Sequence, residues 1–346
     1  MGDEYGWGVM RSETLVRLNR LIPSNRLKFL AILTADLLRI RHLIVYFDPV
    51  RACNLRCGMC HFSDNEWLRQ NPVKRFSDSE IRRLAELFFP QAVQLHIGGA
   101  MEPTVYKDYP SLVRLGKAYK IPFVGLTTNG QLLTPDSIRL MIEAGLDEIT
   151  LSTHGVKRET YEKLMQGASF DSFHRALRTI GELKSGYRRK KPAIRINYIV
   201  NPDNLSELRD FFDLFGDYGI STLQIRPMIN VGKTNYPHKS MANNKKEYND
   251  IIGLLISECR HRGIFLLANK RDPGYESSNK FAVVYENAVF RYIGPGGVWK
   301  DDFDFASETY RQYVSRTGYR SELLKYVLQG DASLVNNSVR ASSELF

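Results

Sequence analysis

The sequence between His42 and Arg226 alternates short β-rich apolar runs with amphipathic helical patterns. Strands that alternate with helices are typical of βαβ units, whose strands run parallel within one sheet. Repeats of this kind predict an α/β fold built on a partial (β/α)6 TIM-like barrel, whose chemistry lies at the carboxyl ends of the strands. The predicted strands are Leu43–Phe47, Val93–Ile97, Phe123–Leu126, Glu148–Leu151, Ala193–Val200 and Thr222–Arg226.

Two flanking regions depart from this alternation. Residues 1–41 predict an N-terminal helical extension, because leucines recur there at helical spacing and Pro23-Ser24 separates two helices. Residues 42–267 form the predicted barrel, and residues 268–346 predict a small α+β C-terminal extension with short antiparallel strands. The second N-terminal helix is basic and amphipathic, so it either packs on the barrel or makes peripheral contact with a membrane.

The composition of the 346-residue chain is that of an ordinary globular protein, with 43% hydrophobic and 25% charged residues. We find no signal-peptide pattern and no apolar run of about 18 residues, the length needed to span a membrane. We therefore expect a cytoplasmic protein, in which clustered cysteines are ligands and not disulfides. The formal net charge of +10 favours an anionic partner of some kind without naming one.

Three of the four cysteines lie close together, at Cys53, Cys57 and Cys60, directly after the first predicted strand. Clustered thiolates predict a site for a soft metal. Three thiolates are one too few for a closed structural zinc site or for a fully ligated [4Fe–4S] cluster. A cluster held here would keep one open iron, whereas the alternative is a zinc knuckle completed by His61 or a distant ligand.

Polar and glycine-rich segments follow the next predicted strands. Gly98 and Gly99 open a turn after the second strand, where glycine lets the backbone approach a ligand closely. Short polar side chains follow or end the later strands and are suited to hydrogen bonding with a ribose or carboxylate. They are Thr128, Asn129, Ser152 and Asn197.

The C-x3-C-x2-C spacing, together with these ordered segments, resembles the radical S-adenosylmethionine (SAM) superfamily. The resemblance implies that Cys53, Cys57 and Cys60 hold a [4Fe–4S] cluster and that its open iron chelates SAM. It also implies that an electron from the cluster cleaves SAM to a 5′-deoxyadenosyl radical, which abstracts hydrogen from a substrate.

The same resemblance assigns roles to the polar segments. Gly98-Gly99-Ala100-Met101-Glu102-Pro103 is similar to the family's GGE or GxGEP stretch, which implies that Gly98, Gly99 and Glu102 bind the SAM amino group and that Pro103 shapes the turn. Met101 stands where the GxGEP form has glycine. The remaining SAM-pocket residues implied are Thr128, Asn129, Ser152 and Asn197.

The C-terminal region resembles a SPASM or twitch extension in its pattern of a hairpin and a helix. Relatives carry auxiliary clusters there, but no cysteine follows Cys259 in this sequence, so we expect a single cluster. Cys259 is the only thiol left, and it suggests a hydrogen donor of the kind used by radical SAM epimerases. However, it lies four residues after Leu255 on one apolar helix face, which is the usual place for a small buried core residue.

The predicted function is therefore hydrogen abstraction from a peptide or a small-molecule substrate, with an electron donor such as flavodoxin or ferredoxin. Nucleic acid is not favoured as a partner, since no RNA-binding module is recognisable. The alternative is a non-catalytic iron–sulfur or zinc protein that senses redox state or binds nucleic acid. Such a sensor has no need of the segment 98–103.

Overall fold

A computed structural model describes residues 21–187, 191–228, 234, 236, 241–269 and 284–329 of the chain. Its main feature is an open sheet whose strands follow the order β11-β10-β1-β4-β5-β6-β7-β8-β9. These strands are β1 (Leu43–Phe47), β4 (Ala92–Ile97), β5 (Phe123–Thr128), β6 (Glu148–Thr153), β7 (Ala193–Val200), β8 (Thr222–Pro227), β9 (Phe265–Leu267), β10 (Phe290–Gly294) and β11 (Gly297–Val298). The short strands β2 (Val50–Arg51) and β3 (Lys74–Arg75) form a separate antiparallel pair.

All neighbouring strands from β10 through β1 to β9 run parallel, and only β10 and β11 pair antiparallel in this sheet. The six predicted strands are therefore present and parallel. The sheet is not closed, because β11 and β9 lie at its two ends. This architecture confirms the predicted α/β fold with a partial TIM-like barrel.

The described residues also form eleven α-helices. They are α1 (Asn25–Leu37), α2 (Asn65–Gln70), α3 (Asp78–Phe88), α4 (Tyr109–Ala118), α5 (Pro135–Ala144), α6 (Arg158–Leu164), α7 (Phe170–Gly186), α8 (Phe211–Phe215), α9 (Lys245–Arg262), α10 (Tyr310–Arg316) and α11 (Tyr319–Leu328). Local sequence fixes several of their ends. A capping box of Ser77 and Glu80 starts α3, and α5 ends at Gly145, whose φ of 90° is the left-handed conformation that favours glycine.

Alternate residues of each parallel strand divide between two environments. On β7, Ile194, Ile196 and Tyr198 are buried in the core between sheet and helices. Arg195 and Asn197 lie between them in sequence and face the inside of the barrel, where they line a cavity. Side chains of successive residues point to opposite faces of a strand, so the apolar runs supply the helix-facing core and the intervening polar residues supply the interior of the barrel.

The C-terminal region differs from its prediction in two respects. The predicted antiparallel hairpin is confirmed, because β10 and β11 pair antiparallel. However, β10 also lies parallel beside β1, with Tyr292 opposite Tyr46, and this pairing was not predicted. The apolar run at residues 282–284 also predicts a strand. Val284 is helical and precedes a π-helical turn at Tyr285–Val289, whereas residues 282 and 283 lie outside the described residues. Apolar periodicity predicts a strand but does not choose its partner, which is why the pairing was missed.

The N-terminal helix α1 packs against α11 at the other end of the chain. Phe29 is fully buried and stacks on Tyr326 with ring centroids 4.6 Å apart, while Asp36 accepts a 2.7 Å hydrogen bond from Arg320. The predicted domain boundaries at residues 41 and 267 remain predictions. The predicted first N-terminal helix lies largely outside the described residues.

The outward face of α1 is apolar. Its exposed leucines are Leu27, Leu30 and Leu37, followed by Leu38 just beyond the helix, with exposed fractions of 58, 45, 56 and 65%. Within the described residues, no helix combines the length and the hydropathy required to cross a lipid bilayer.

Candidate active site

The interior of the barrel holds a cavity of about 320 Å³, to which most parallel strands contribute at least one side chain or a residue directly after the strand. That size is at the lower end of the range for small-molecule sites. The lining residues are mostly polar or aromatic. They are Tyr46, His96, Gly98, Gly99, Ala100, Thr127, Glu148, Thr150, Arg195, Asn197, Gln224, Arg226, Tyr285, Glu286, Phe290 and Tyr292.

The cysteine loop follows β1 and β2, at the carboxyl end of the first barrel strand. Backbone hydrogen bonds attach it to the end of α6, because the amide of Arg56 donates to Gln166 (2.9 Å) and the amide of Gly58 donates to Leu164 (3.1 Å). The side chain of Leu55 is buried in the core. The loop is therefore held from outside by α6, while its cysteines are only half-buried.

The three thiols share a desolvated environment. Burial raises the pKa of Cys53 to about 12 and also raises the pKa values of Cys57 and Cys60. The charges of neighbouring thiolates also contribute to raising the pKa values of Cys53 and Cys57. Thiols in such a site ionise readily only when a cation takes up their charge.

The donor set suits a [4Fe–4S] cluster, because three thiolates of one loop can each bind a different iron. Among the described residues, no three Cys, His, Asp or Glu side chains converge as the ligands of one metal ion must. A cubane cluster takes each thiolate at a different iron, so its ligands need not converge on one point. His61, the proposed fourth zinc ligand, instead packs against Trp67 with ring centroids 4.0 Å apart.

The glycine loop after β4 lies close to the neighbouring strands. Gly98 has a φ of 87°, and a Cβ at this position would lie 2.4 Å from the carbonyl oxygen of Thr127. A Cβ at Gly99 would lie 3.0 Å from Cδ1 of Tyr46. Only glycine therefore lets this backbone lie at the wall of the cavity.

Glu102 lies behind this loop and not in the cavity lining. Its fully buried Oε1 accepts hydrogen bonds from the amide and hydroxyl of Thr104 (3.2 and 2.5 Å) and from the hydroxyl of Thr128 (2.6 Å). Its Oε2 accepts a hydrogen bond from the amide of Asn129 (2.8 Å). Burial raises the pKa of Glu102, and these hydrogen bonds oppose the shift. The carboxylate joins the glycine loop to the end of β5, and its predicted contact with the SAM amino group stays a prediction.

Other predicted residues gather around the same strand ends. Pro103 is buried and starts the short helix Pro103–Val105. Asn129 donates from Nδ2 to Oδ1 of Asn54 (2.9 Å) and approaches the sulfur of Cys53 (3.9 Å), so β5 contacts the cysteine loop directly. The hydroxyl of Thr128 donates its hydrogen bond to Glu102.

Ser152 and Asn197 lie opposite each other on β6 and β7. The Oδ1 atom of Asn197 is buried and has no hydrogen-bond partner among the described residues, although Asn197 lines the cavity. A buried carbonyl oxygen without a donor is costly in an empty site. It therefore points to a ligand that supplies an N–H or O–H group.

The floor of the cavity holds charged residues that the sequence analysis missed. Arg195 and Glu148 form an ion pair (3.0 Å) in which both side chains are about 10% exposed. His96 stacks on Tyr46 at 4.6 Å and contacts Gln94 through Nε2 (3.0 Å). Burial and the nearby Arg195 lower the pKa of His96 to about 3, so the imidazole is neutral at physiological pH. These polar residues alternate with buried isoleucines along their strands, and that alternation was the signal from which they could have been predicted.

Cys259 lies elsewhere. It is buried on α9 with Leu255, in the core between helix and sheet, and it is not among the cavity-lining residues. Burial raises the pKa of its thiol to about 11. The packing matches a core residue, and the hydrogen-donor hypothesis stays a prediction without support from this geometry.

Comparison with known proteins places this site in a family context. Residues 48–215 match the radical SAM superfamily. A probable GTP 3′,8-cyclase of Saccharolobus solfataricus is 29% identical over 224 residues, covering 62% of this chain and 68% of that protein. A probable GTP 3′,8-cyclase of Metallosphaera sedula is 27% identical over 214 residues, covering 61% of this chain and 63% of that protein. The alignments thus span about two thirds of these relatives' length.

Solved structures give the same fold. SuiB of Streptococcus suis superposes with a TM-score of 0.58 at 17% identity, covering 78% of this chain and 62% of SuiB. SuiB bound to S-adenosylmethionine superposes with a TM-score of 0.57 at 16% identity, covering 81% of this chain and 66% of that chain. At this identity the likeness concerns the fold alone.

Proposed function

We propose that this chain, whose residues 48–215 match the radical SAM superfamily, is an enzyme that cleaves SAM and uses the resulting radical on a small polar metabolite. In this proposal Cys53, Cys57 and Cys60 hold a [4Fe–4S] cluster. When bound, the cluster and SAM supply a 5′-deoxyadenosyl radical that abstracts a hydrogen atom. The protein residues bind and orient the two reactants and exclude water.

The observation that carries the proposal is the convergence of the cysteine loop, the glycine loop and the cavity at one edge of the sheet. Asn129 links the cysteine loop to the glycine loop, and Gly98 and Gly99 lie on the wall of the cavity. SAM bound across the strand ends would meet the unpartnered Oδ1 of Asn197 with a hydroxyl or amino group. A redox sensor has no use for an adjoining cavity of this kind.

The substrate class follows from the floor of the cavity. The charged side chains of the lining are Glu148 and Glu286 on one hand and Arg195 and Arg226 on the other. The two negative and the two positive side chains balance each other, and the neutral imidazole of His96 adds a further polar group. A small molecule with several hydrogen-bonding groups suits this floor better than an apolar one, because buried polar groups need partners.

GTP is a second candidate, favoured by the similarity to probable GTP 3′,8-cyclases and by the two arginines in the lining. A triphosphate carries far more negative charge than Arg195 and Arg226 alone neutralise. GTP is therefore the alternative that the substrate assay should include directly.

Two partners belong to the proposal. An electron donor such as flavodoxin or ferredoxin would reduce the cluster, since radical SAM chemistry starts with a reduced cluster. An anionic membrane surface would receive the exposed leucines of α1, beside which Arg26 and Arg39 are also exposed.

The decisive experiment reconstitutes the protein anaerobically with iron and sulfide, adds SAM and dithionite, and measures 5′-deoxyadenosine. We expect a cluster of about four irons per chain and slow 5′-deoxyadenosine formation. Zinc without sulfide in the protein purified under strict anaerobiosis, or a reconstituted cluster that leaves SAM intact, would refute the function.

A substitution of Arg195, which lies in the floor of the cavity, separates substrate binding from SAM cleavage. Arg195→Gln should keep the slow, uncoupled cleavage of SAM but lose its stimulation by small metabolites of a cell extract. Adding GTP to the same extract tests GTP as the substrate, and a peptide fraction of the extract tests peptides. Stimulation by peptides alone would show that the substrate class is wrong.

A further inference from the structure

The side chain of Tyr292 connects β10 to the glycine loop through Asp48. Tyr292 lies on β10 and lines the cavity, and its hydroxyl donates a 2.9 Å hydrogen bond to Oδ2 of Asp48. Asp48 directly follows β1 and is fully buried. The hydrogen bond therefore joins two residues that are 244 positions apart in the sequence.

Asp48 in turn holds the glycine loop. Its Oδ1 accepts from the amide of Gly99 and its Oδ2 accepts from the amide of Ala100, both at 2.9 Å. In a planar trans peptide the N–H and the C=O point in opposite directions. The carbonyl groups of Gly98 and Gly99 therefore point away from Asp48.

We propose that Tyr292, acting through Asp48, positions the carbonyl groups of Gly98 and Gly99 for the amino group of SAM. An ammonium group is a donor only, so it needs oriented acceptors of this kind. Tyr292 is then a positioning residue, and the C-terminal segment is part of the SAM site. This inference rests on the proposed function, because it concerns the loop assigned to SAM.

Contacts of the neighbouring residues hold the strand that carries Tyr292 in place. The neighbouring Arg291 is fully buried on the opposite face of β10, lies 4.5 Å from the ring centre of Trp299 and donates to the hydroxyl of Tyr319 (2.7 Å). This cage anchors β10 to the C-terminal helices. A Cβ at Gly294 would lie 2.7 Å from the hydroxyl of Tyr292, so the absence of a side chain there leaves room for the contact with Asp48.

The first test is Tyr292→Phe, which removes the hydroxyl and keeps the ring. SAM affinity is measured by isothermal titration of the reconstituted protein without reductant, together with iron content and melting temperature. We expect the Kd for SAM to rise about tenfold, the usual scale for losing a hydrogen bond to a charged group, with iron content unchanged. Tyr313→Phe is the matched control, because Tyr313 makes a similar hydrogen bond to Asp302 (2.7 Å) in the same region but does not line the cavity.

The second variant, Gly294→Ala, keeps the hydroxyl and displaces it, so it should weaken SAM binding as Tyr292→Phe does. A Kd within twofold of wild type in both variants would overturn the inference while leaving the proposed function intact. Loss of iron from Tyr292→Phe would also overturn it, because the tyrosine would then support the cysteine loop. A wild-type protein that holds its cluster but does not bind SAM would refute the proposed function itself.

Discussion

Replacing Glu102 should remove hydrogen bonds from the end of β5 in two separable steps. In Glu102→Gln the amide oxygen can keep the three hydrogen bonds from Thr104 and Thr128, which all go to Oε1. The new NH2 group then faces the amide of Asn129, and one buried donor loses its acceptor. The expected loss in the free energy of unfolding is about 1–3 kcal/mol.

Glu102→Ala removes all four hydrogen bonds. The hydroxyl groups of Thr104 and Thr128 can rotate towards other acceptors, but the two backbone amides cannot. Two unsatisfied buried donors at about 1–3 kcal/mol each give an expected loss of about 2–6 kcal/mol, twice that of the glutamine variant.

Urea titration of the cluster-free protein, followed by circular dichroism, measures both losses. Glu86→Gln is the control, because its side chain is 59% exposed and the change should stay within about 0.5 kcal/mol. Equal losses for the alanine and glutamine variants would refute the reasoning. A large loss of SAM affinity with unchanged stability would show that Glu102 acts on the ligand and not on the fold.

Three further outcomes are expected. Cys57→Ala should lose iron and visible absorbance, whereas Cys259→Ala should keep both, as measured by iron assay and absorbance after anaerobic reconstitution. Folding lowers the pKa of His96 from 6.5 to about 3, so its contribution to stability is present above pH 6.5 and is lost as the pH falls towards 3. The melting temperature of His96→Gln should therefore fall less steeply than that of wild type between pH 6.5 and pH 3. Parallel curves of melting temperature against pH would contradict this. The double variant Leu30→Gln and Leu37→Gln should reduce sedimentation with phosphatidylserine vesicles without lowering the melting temperature, and unchanged sedimentation would remove the membrane from the proposal.

Much of the barrel could be predicted from local sequence. The bounds of β1 and β7 are those predicted, because β1 is an apolar run and β7 alternates apolar with polar residues, and turn or polar residues border both. The cysteine loop and the glycine loop follow their strands as expected. In a parallel sheet those ends meet at one edge, so their proximity needed no long-range information.

The contacts that depend on distant residues could not be predicted. The sequence around Phe290–Gly294 predicts a strand, but nothing local to it selects β1 as its parallel partner. Glu102 sits in a motif that implies a ligand contact, while its actual donors come partly from another strand. For Glu148 and Arg195, period-two alternation marks one face of each strand, but only the assembled barrel shows that this face encloses a cavity.

The pairing of β10 with β1 has a consequence for synthesis of the chain on the ribosome. Asp48 emerges 244 residues before Tyr292, which at about 5–20 residues per second is a delay of roughly 12 to 50 s. Throughout that interval one side of β1 lacks its final neighbour, and an unpaired strand edge is a template for aggregation. A nascent chain arrested before Phe290 should therefore need chaperone protection that the complete chain does not.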